Sequence, residues 1–266
     1  MNHRHTVLVA MVGVAAACGG PRTAVAPVPM PATAVRPGIE VLLSDSLSLV
    51  RHARLGLVTN QAGVDAAGVS DVNRLRAGGL ELVALFSPEH GFGGAAAPGA
   101  AVSNGTDSAT GLPIYSLYGQ NTAPTAAMLS GLDVLLVDLQ DVGARYYTYL
   151  ATTVAVMRAA ALGGKRVVVL DRPNPIGGTM QGNVLDTAFA SMVGLLPVPM
   201  RHGMTLGELA RLANAELHVG ADLTVVPVVG WSPTMDFDQT GLPFIPPSPN
   251  LRSLEALFHY PGLCLM

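Results

Sequence analysis

Cysteine, charge and aromatic side chains are all scarce in this chain, and each scarcity removes a class of protein. The 266 residues hold two cysteines, Cys18 and Cys264, and one tryptophan. A disulfide would have to tie the first residues to the last, so no disulfide scaffold is expected. With one other cysteine and scattered histidines, no closed zinc site is expected either, and no metal is assigned. Charged residues make up only 12% at a net charge of -3, which leaves no basic face for nucleic acid and no charge excess that would favour disorder. There is no Gly-x-Gly-x-x-Gly after a strand, no Walker loop, no Gly-x-Ser-x-Gly elbow and no His-Glu-x-x-His, so no cofactor is expected.

Half of the residues are hydrophobic, and their arrangement is informative from the first segment onward. Arg4 lies between His3 and His5, Val7 to Val14 is almost wholly apolar, and Ala15-Ala16-Ala17-Cys18-Gly19 follows. A charged start, an apolar run too short to span a bilayer and a small-residue cleavage site form an export signal. Cys18 directly after the small residues resembles a bacterial lipobox, in which the cysteine is lipidated. The alternative is an ordinary signal peptide with an incidental cysteine. Lipidation would place the protein on the membrane of the bacterial cell envelope, on its periplasmic or extracellular face, and Gly19 rather than Asp would permit outer-membrane sorting. Residues 19–37 are rich in Pro, Ala and Val and read as a tether. Residues 38–266 then form one domain, with Cys264 expected as a small buried hydrophobe.

Within that domain, short apolar runs end in polar clusters. Leu55 to Val58 leads into Thr59-Asn60-Gln61, and Leu82 to Phe86 into Ser87-Pro88-Glu89-His90-Gly91-Phe92. Ile114 to Tyr118 leads into Gly119-Gln120-Asn121, Val134 to Val137 into Asp138-Leu139-Gln140-Asp141, and Val167 to Leu170 into Asp171-Arg172-Pro173-Asn174-Pro175. Helical segments between the runs give the alternation of an α/β fold with a mostly parallel sheet and helices on both faces. The polar clusters should then share the carboxyl edge of the sheet, where ligands bind in open α/β folds. Glu89, a carboxylate beside an imidazole, is the first candidate for chemistry.

The segment from Asp138 to Tyr149 leads into an apolar helix over Leu150–Leu162. Arg145, Tyr146 and its neighbours stand at that helix's start, where free N–H groups and a partial positive charge favour anionic or hydroxyl-rich ligands. A structural reading is open beside it, with Asp141 paired to Arg145, the tyrosines packed in the core and Asp138 capping a turn. Asp171 and Arg172 either face the crevice or form an ion pair. Thr205-Leu206-Gly207-Glu208 is a capping box that opens a helix through Ala215, which commits Glu208 to the cap and leaves His202 a weaker candidate. Leu223 to Gly230 reads as a further strand. The prolines of Phe244 to Asn250 exclude helix there.

Taken in order, Phe86 to Phe92, Ser116-Leu117-Tyr118-Gly119, Asp138 to Tyr149, Leu170 to Pro175, Arg201-His202-Gly203-Met204-Thr205 and Pro246-Pro247-Ser248-Pro249-Asn250 resemble the NamZ-like exo-β-N-acetylmuramidase family. The likeness runs over about residues 38–263. It implies a Rossmann-like catalytic domain followed by a smaller C-terminal domain, with the active site between them. It also implies release of N-acetylmuramic acid from the non-reducing end of peptidoglycan fragments, with Glu89 as the catalytic residue. Glycoside cleavage requires a proton donor, and Glu89 is placed to be one. The second group is left open among Asp138, Asp141, Asp171 and the substrate's own acetamido group. Arg145 or Arg172 is expected to meet the lactyl carboxylate, while His90, Asn60, Gln140, Asp141, Tyr146, Asn174 and His202 are further candidate contacts. Gly93 stands where relatives tend to carry arginine, which removes one expected contact. The chain ends at Met266 where relatives continue, so it is expected to be a truncated member lacking most of the C-terminal domain. Its peptidoglycan partner would then be either hydrolysed or, in the competing reading, bound without turnover by an envelope lipoprotein.

Overall fold

The structure, a computed structural model, describes residues 34–264. The export segment, Cys18 and residues 19–33 of the tether lie outside the described residues. Six parallel strands carry the fold: β1 (Arg54–Thr59), β2 (Glu81–Ser87), β4 (Pro113–Ser116), β5 (Val134–Asp138), β6 (Arg166–Leu170) and β9 (Asp222–Val226). The two-residue β3 (Gly105–Thr106) joins antiparallel to β4, and the sheet order is β3-β4-β2-β1-β5-β6-β9. Leaving out β3, successive parallel strands are laid outward from β1 in one direction and then, from β5, in the other. This is the doubly wound Rossmann order, and its direction reverses between β1 and β5, where a crevice opens at the carboxyl edge. The fold is therefore the Rossmann-like α/β arrangement expected from the alternation of apolar runs and helices.

Both faces of the sheet are covered, which is why its strands read as continuous apolar runs. Val134 and Leu136 point to one face with Leu55, Leu57 and Leu85, against α1 (Gly38–Asp45) and α2 (Asp71–Ala77) through Ile39, Leu42 and Leu75. Leu135 and Val137 point to the other with Phe86, Val167 and Val169. There they meet α4 (Tyr149–Leu162) and α5 (Leu206–Glu216) through Val154, Met157, Leu209 and Ala210. The short α3 (Ala126–Leu129) precedes β5, and an antiparallel ribbon of β7 (Gln181–Val184) and β8 (Pro199–Arg201) stands apart from the main sheet. The Thr205–Glu208 capping box is formed at the start of α5.

Three expectations need correction. The last residues assigned to the tether are packed: Val35 is buried, and the backbone of Arg36 exchanges hydrogen bonds of 2.9 and 3.0 Å with Val229. The final strand stops at Val226, because Pro227 has no N–H to continue the ladder. Cys264 is exposed rather than buried. It follows α6 (Leu254–Leu263), a helix that contains Pro261 and that the sequence reading did not anticipate.

Candidate active site

Glu89 lies in the turn after β2 with its side chain held at both ends. Oε1 accepts the Gly99 N–H at 2.9 Å, and Oε2 accepts the Thr148 hydroxyl at 2.7 Å. Glu89 is 8% exposed, so it meets solvent only through the cleft that it lines. His90 beside it has φ +70°, a left-handed backbone that non-glycine residues seldom adopt. Its Nδ1 is 2.9 Å from the Ala96 carbonyl. A carbonyl only accepts, so Nδ1 carries a proton and the neutral ring keeps its lone pair on Nε2. Thr148 comes from the N-terminus of α4, which brings that helix start within one hydroxyl of Glu89.

The opposite wall is fastened by tyrosine hydroxyls. Tyr147 and Tyr149 both donate to the Pro247 carbonyl, at 3.0 and 2.9 Å, and Asn60 Nδ2 donates to the Tyr149 hydroxyl at 2.7 Å. Gln61 Nε2 adds a bond of 2.8 Å to the Pro246 carbonyl. The Tyr146 hydroxyl meets the carbonyls of Tyr260 and Pro261, which ties α6 to the segment before α4. Between these walls lies a cleft of about 610 Å³, lined by Glu89, His90, Tyr146, Tyr147, Thr148, Ser248, Asn250, Glu255, His259 and Tyr260 among others. That volume lies in the range of small-ligand sites. Burial pushes the Tyr146 hydroxyl up to about 12 and raises those of Tyr147 and Tyr260 as well. Tyr118 is raised by burial and then by the Glu89 charge. All four are neutral phenols near neutral pH, able to donate hydrogen bonds and to offer ring faces.

Of the residues expected at the site, Glu89, His90 and Tyr146 are brought together in the cleft lining, while the rest lie outside it. Asp138, expected near the reacting bond, is buried in an ion pair with Arg172, whose Nε and Nη2 both reach its carboxylate. Burial would lower the Arg172 guanidinium, but the Asp138 and Asp71 charges outweigh it and hold it up. Arg172 also donates to the Val64 carbonyl at 2.7 Å, so it is not free to meet a lactyl carboxylate. Arg145 is anchored outside the cleft lining: its Nη1 donates to the Asn183 and Val198 carbonyls, both at 2.7 Å. Asp171 accepts from the Thr205 hydroxyl at 2.7 Å and the Gly207 N–H at 2.9 Å, which binds it to the start of α5. Burial pushes its carboxyl up to about 6 against these bonds.

Asp141 pairs with His202 rather than Arg145. Its Oδ2 is 3.1 Å from His202 Nε2 and accepts the Gly143 N–H at 2.6 Å. The Met204 N–H donates to His202 Nδ1 at 3.1 Å, which places the ring proton on Nε2 facing Asp141. Gln140 Nε2 donates to the Asp141 and Pro173 carbonyls, and Asn174 Nδ2 to the Met204 carbonyl. These side chains shape the loops at the carboxyl edge and stand behind the cleft wall.

The residues that sequence reasoning missed come mostly from α6. Glu255 and His259, four apart on that helix, line the cleft, and Glu255 is the only carboxylate besides Glu89 among its described lining residues. Ser253 caps the helix by accepting the Ala256 N–H at 3.2 Å. That serine before an apolar segment was the available signal, and Pro261 and Gly262 obscured it.

Comparison with known proteins agrees with this geometry. Residues 55–255 match the sequence model of the family described as exo-β-N-acetylmuramidase NamZ, N-terminal. The chain is 47% identical over 234 residues to the peptidoglycan β-N-acetylmuramidase NamZ of Bacillus subtilis (strain 168), covering 87% of this chain and 56% of that relative. Crystal structures of two DUF1343 family proteins from Bacteroides fragilis NCTC 9343 superpose on it with TM-scores of 0.78 and 0.74, at 42% and 37% identity. They cover 86% and 88% of this chain, which in turn spans 59% and 62% of theirs. The chain thus spans little more than half the length of these relatives, and it belongs to the NamZ exo-β-N-acetylmuramidase family through that family's N-terminal region.

Proposed function

We propose that this chain carries the catalytic carboxylate of an exo-β-N-acetylmuramidase that releases N-acetylmuramic acid from the non-reducing end of peptidoglycan fragments. Glu89 acts as general acid. The observation that carries this reading is its place, a nearly buried carboxyl at the carboxyl edge of a Rossmann sheet, opening only into a cleft of about 610 Å³ walled by tyrosines. Aromatic faces suit the apolar faces of a sugar ring, and phenol hydroxyls and Asn250 suit its oxygens. Protonation of the glycosidic oxygen by Glu89 would release the leaving alcohol. Asp138, Asp141 and Asp171 are committed to Arg172, to His202 and to the start of α5, which leaves the substrate's acetamido group or Glu255 as the second participant.

Turnover of a chromogenic β-N-acetylmuramic acid glycoside tests this reading, with Glu89→Gln alongside. The variant should lose about two to four orders of magnitude in kcat. Equal turnover in both proteins would remove Glu89 from the chemistry, and binding of muropeptides without turnover by the folded wild type would favour a sugar-binding protein. We further propose export and lipid anchoring at Cys18, supported by the charged start, short apolar run and Ala15-Ala16-Ala17-Cys18. Metabolic labelling with a fatty acid should mark the wild type and not Cys18→Ser.

A further inference from the structure

Thr148 occupies the position immediately before α4 with a helical backbone (φ −73°, ψ −12°) rather than the extended one of a capping residue, and its hydroxyl makes no capping bond to that helix. Threonine at this position ordinarily accepts from an N–H of the first turn, an interaction worth about 1 kcal/mol. Here the hydroxyl leaves its own helix uncapped and donates to Glu89 Oε2 at 2.7 Å, across 59 residues of sequence. The caps of α2, α5 and α6 behave in the ordinary way, with Ser70, Thr205 and Ser253 each bonded to their own first turn. Among the serines and threonines that precede the described α-helices, Thr148 alone makes no cap, and its hydroxyl is the one bonded to Glu89.

The two oxygens of Glu89 also have unlike hydrogen-bond partners, and the Tyr118 hydroxyl lies beside the same carboxyl. Oε1 faces the Gly99 N–H, which only donates and so keeps Oε1 an acceptor. Oε2 faces a hydroxyl, whose hydrogen rotates and whose oxygen also accepts. We propose that Thr148 is a positioning residue for the reaction: together with Gly99 N–H it fixes the Glu89 carboxyl and assigns the transferable proton to Oε2. This rests on the reading of Glu89 as general acid. In the step itself the proton leaves Oε2 for the glycosidic oxygen, the bond from the anomeric carbon to that oxygen breaks with its electron pair passing to the oxygen, the leaving group departs as an alcohol, and the electron-poor anomeric carbon is taken by the acetamido oxygen or by water. The electron pair left on Oε2 is then met by the Thr148 hydroxyl hydrogen. The bond strengthens as charge develops, and for that reason it favours the transition state over the bound substrate.

Steady-state kinetics of Thr148→Val, Thr148→Ala, Thr148→Ser and Glu89→Gln on the chromogenic glycoside, with the full chain, tests the proposal. Thr148→Val should lower kcat by about ten- to a hundredfold with KM within about threefold. Thr148→Ser should return to within about threefold of wild type, because it keeps the hydroxyl. No cap is lost, so the melting temperature should fall only by what one side-chain hydrogen bond is worth, and Thr148→Ala supplies the hydroxyl-free protein if the valine variant does not fold. Full activity in Thr148→Val or Thr148→Ala beside an inactive Glu89→Gln would overturn the role of Thr148 while leaving that of Glu89. A serine variant as slow as the valine one would also overturn it. Undiminished turnover in Glu89→Gln, or an inactive wild type, would overturn both readings together.

Discussion

Asn60 Nδ2 donates to the Tyr149 hydroxyl at 2.7 Å, joining the end of β1 to the start of α4 on either side of the point where the strand order reverses. The same hydroxyl donates onward to the Pro247 carbonyl at 2.9 Å, so one phenol connects three distant segments at the back of the cleft.

Tyr149→Phe takes the acceptor from Asn60 Nδ2 in a buried setting and leaves the Pro247 carbonyl with the Tyr147 hydroxyl alone. It should destabilise the protein by about 1–3 kcal/mol in urea unfolding, and the loosened segment at Pro246 to Asn250 should raise KM for the chromogenic glycoside more than it lowers kcat. Thr148→Val should show the opposite split, and the pair of variants separates the fastening of the wall from the holding of Glu89.

Two buried aspartates near Arg172 should respond oppositely to amidation. Asp138→Asn removes the carboxylate that Arg172 grips and leaves a buried charge poorly matched, a loss of about 3–5 kcal/mol. Asp71 is different: neither of its oxygens has a hydrogen-bond partner among the described residues, Arg172 stands 3.9 Å away, and burial followed by the Asp138 charge holds its carboxyl well above the usual range. A group raised in the folded state contributes stability that is present below its unfolded value and disappears as pH rises through the folded one. Asp71→Asn should therefore be neutral or stabilising at alkaline pH, and equilibrium unfolding of both variants at pH 8 would show it.

Asp171 offers a defined pH window. Its carboxyl is raised by burial from 3.8 to about 6, against the pull of the Thr205, Gly207 and Arg172 donors. Its contribution is complete below pH 4 and is lost as pH climbs through 6, a change on the order of 3 kcal/mol. The stability difference between wild type and Asp171→Asn should drift over that interval and be flat above it, as denaturation at half-unit pH steps would record.

Gly143 has φ +79°, and a Cβ there would lie 2.4 Å from the Ile176 side chain and 2.6 Å from Asn174 Oδ1. Gly143→Ala should combine a strained backbone with a clash and cost at least about 1–3 kcal/mol. It should also disturb the Asp141 to His202 pair, since the Gly143 N–H is held by Asp141. Thermal unfolding and the histidine NMR signals of the variant would report both effects.

The sheet was legible in the sequence because its strands are buried on both faces and therefore stand out as unbroken apolar runs, as Leu55 to Val58 and Val167 to Leu170 do. Glu89 was legible because it lies directly after one such run. The partners of Asp138, Asp141 and Asp171 were not. Arg172 lies beside Asp171 in sequence but binds Asp138, and which of two adjacent acids an arginine grips depends on strand spacing rather than on order. The α6 wall escaped notice because its signal is local and weak, while its position comes from contacts with Tyr146 and the α4 segment far away.

The tie between Tyr146 and the carbonyls of Tyr260 and Pro261 has a consequence for how the protein is made. It closes a loop of more than a hundred residues, and such closures come late, after the short-range pairings of β1 with β2 have formed. A chain emerging from the ribosome can assemble the sheet and hold Glu89 at its edge well before α6 arrives to cover it. Until then the apolar sides of Tyr146, Tyr147 and Leu251 face water, and that interval is when the chain has most need of a chaperone.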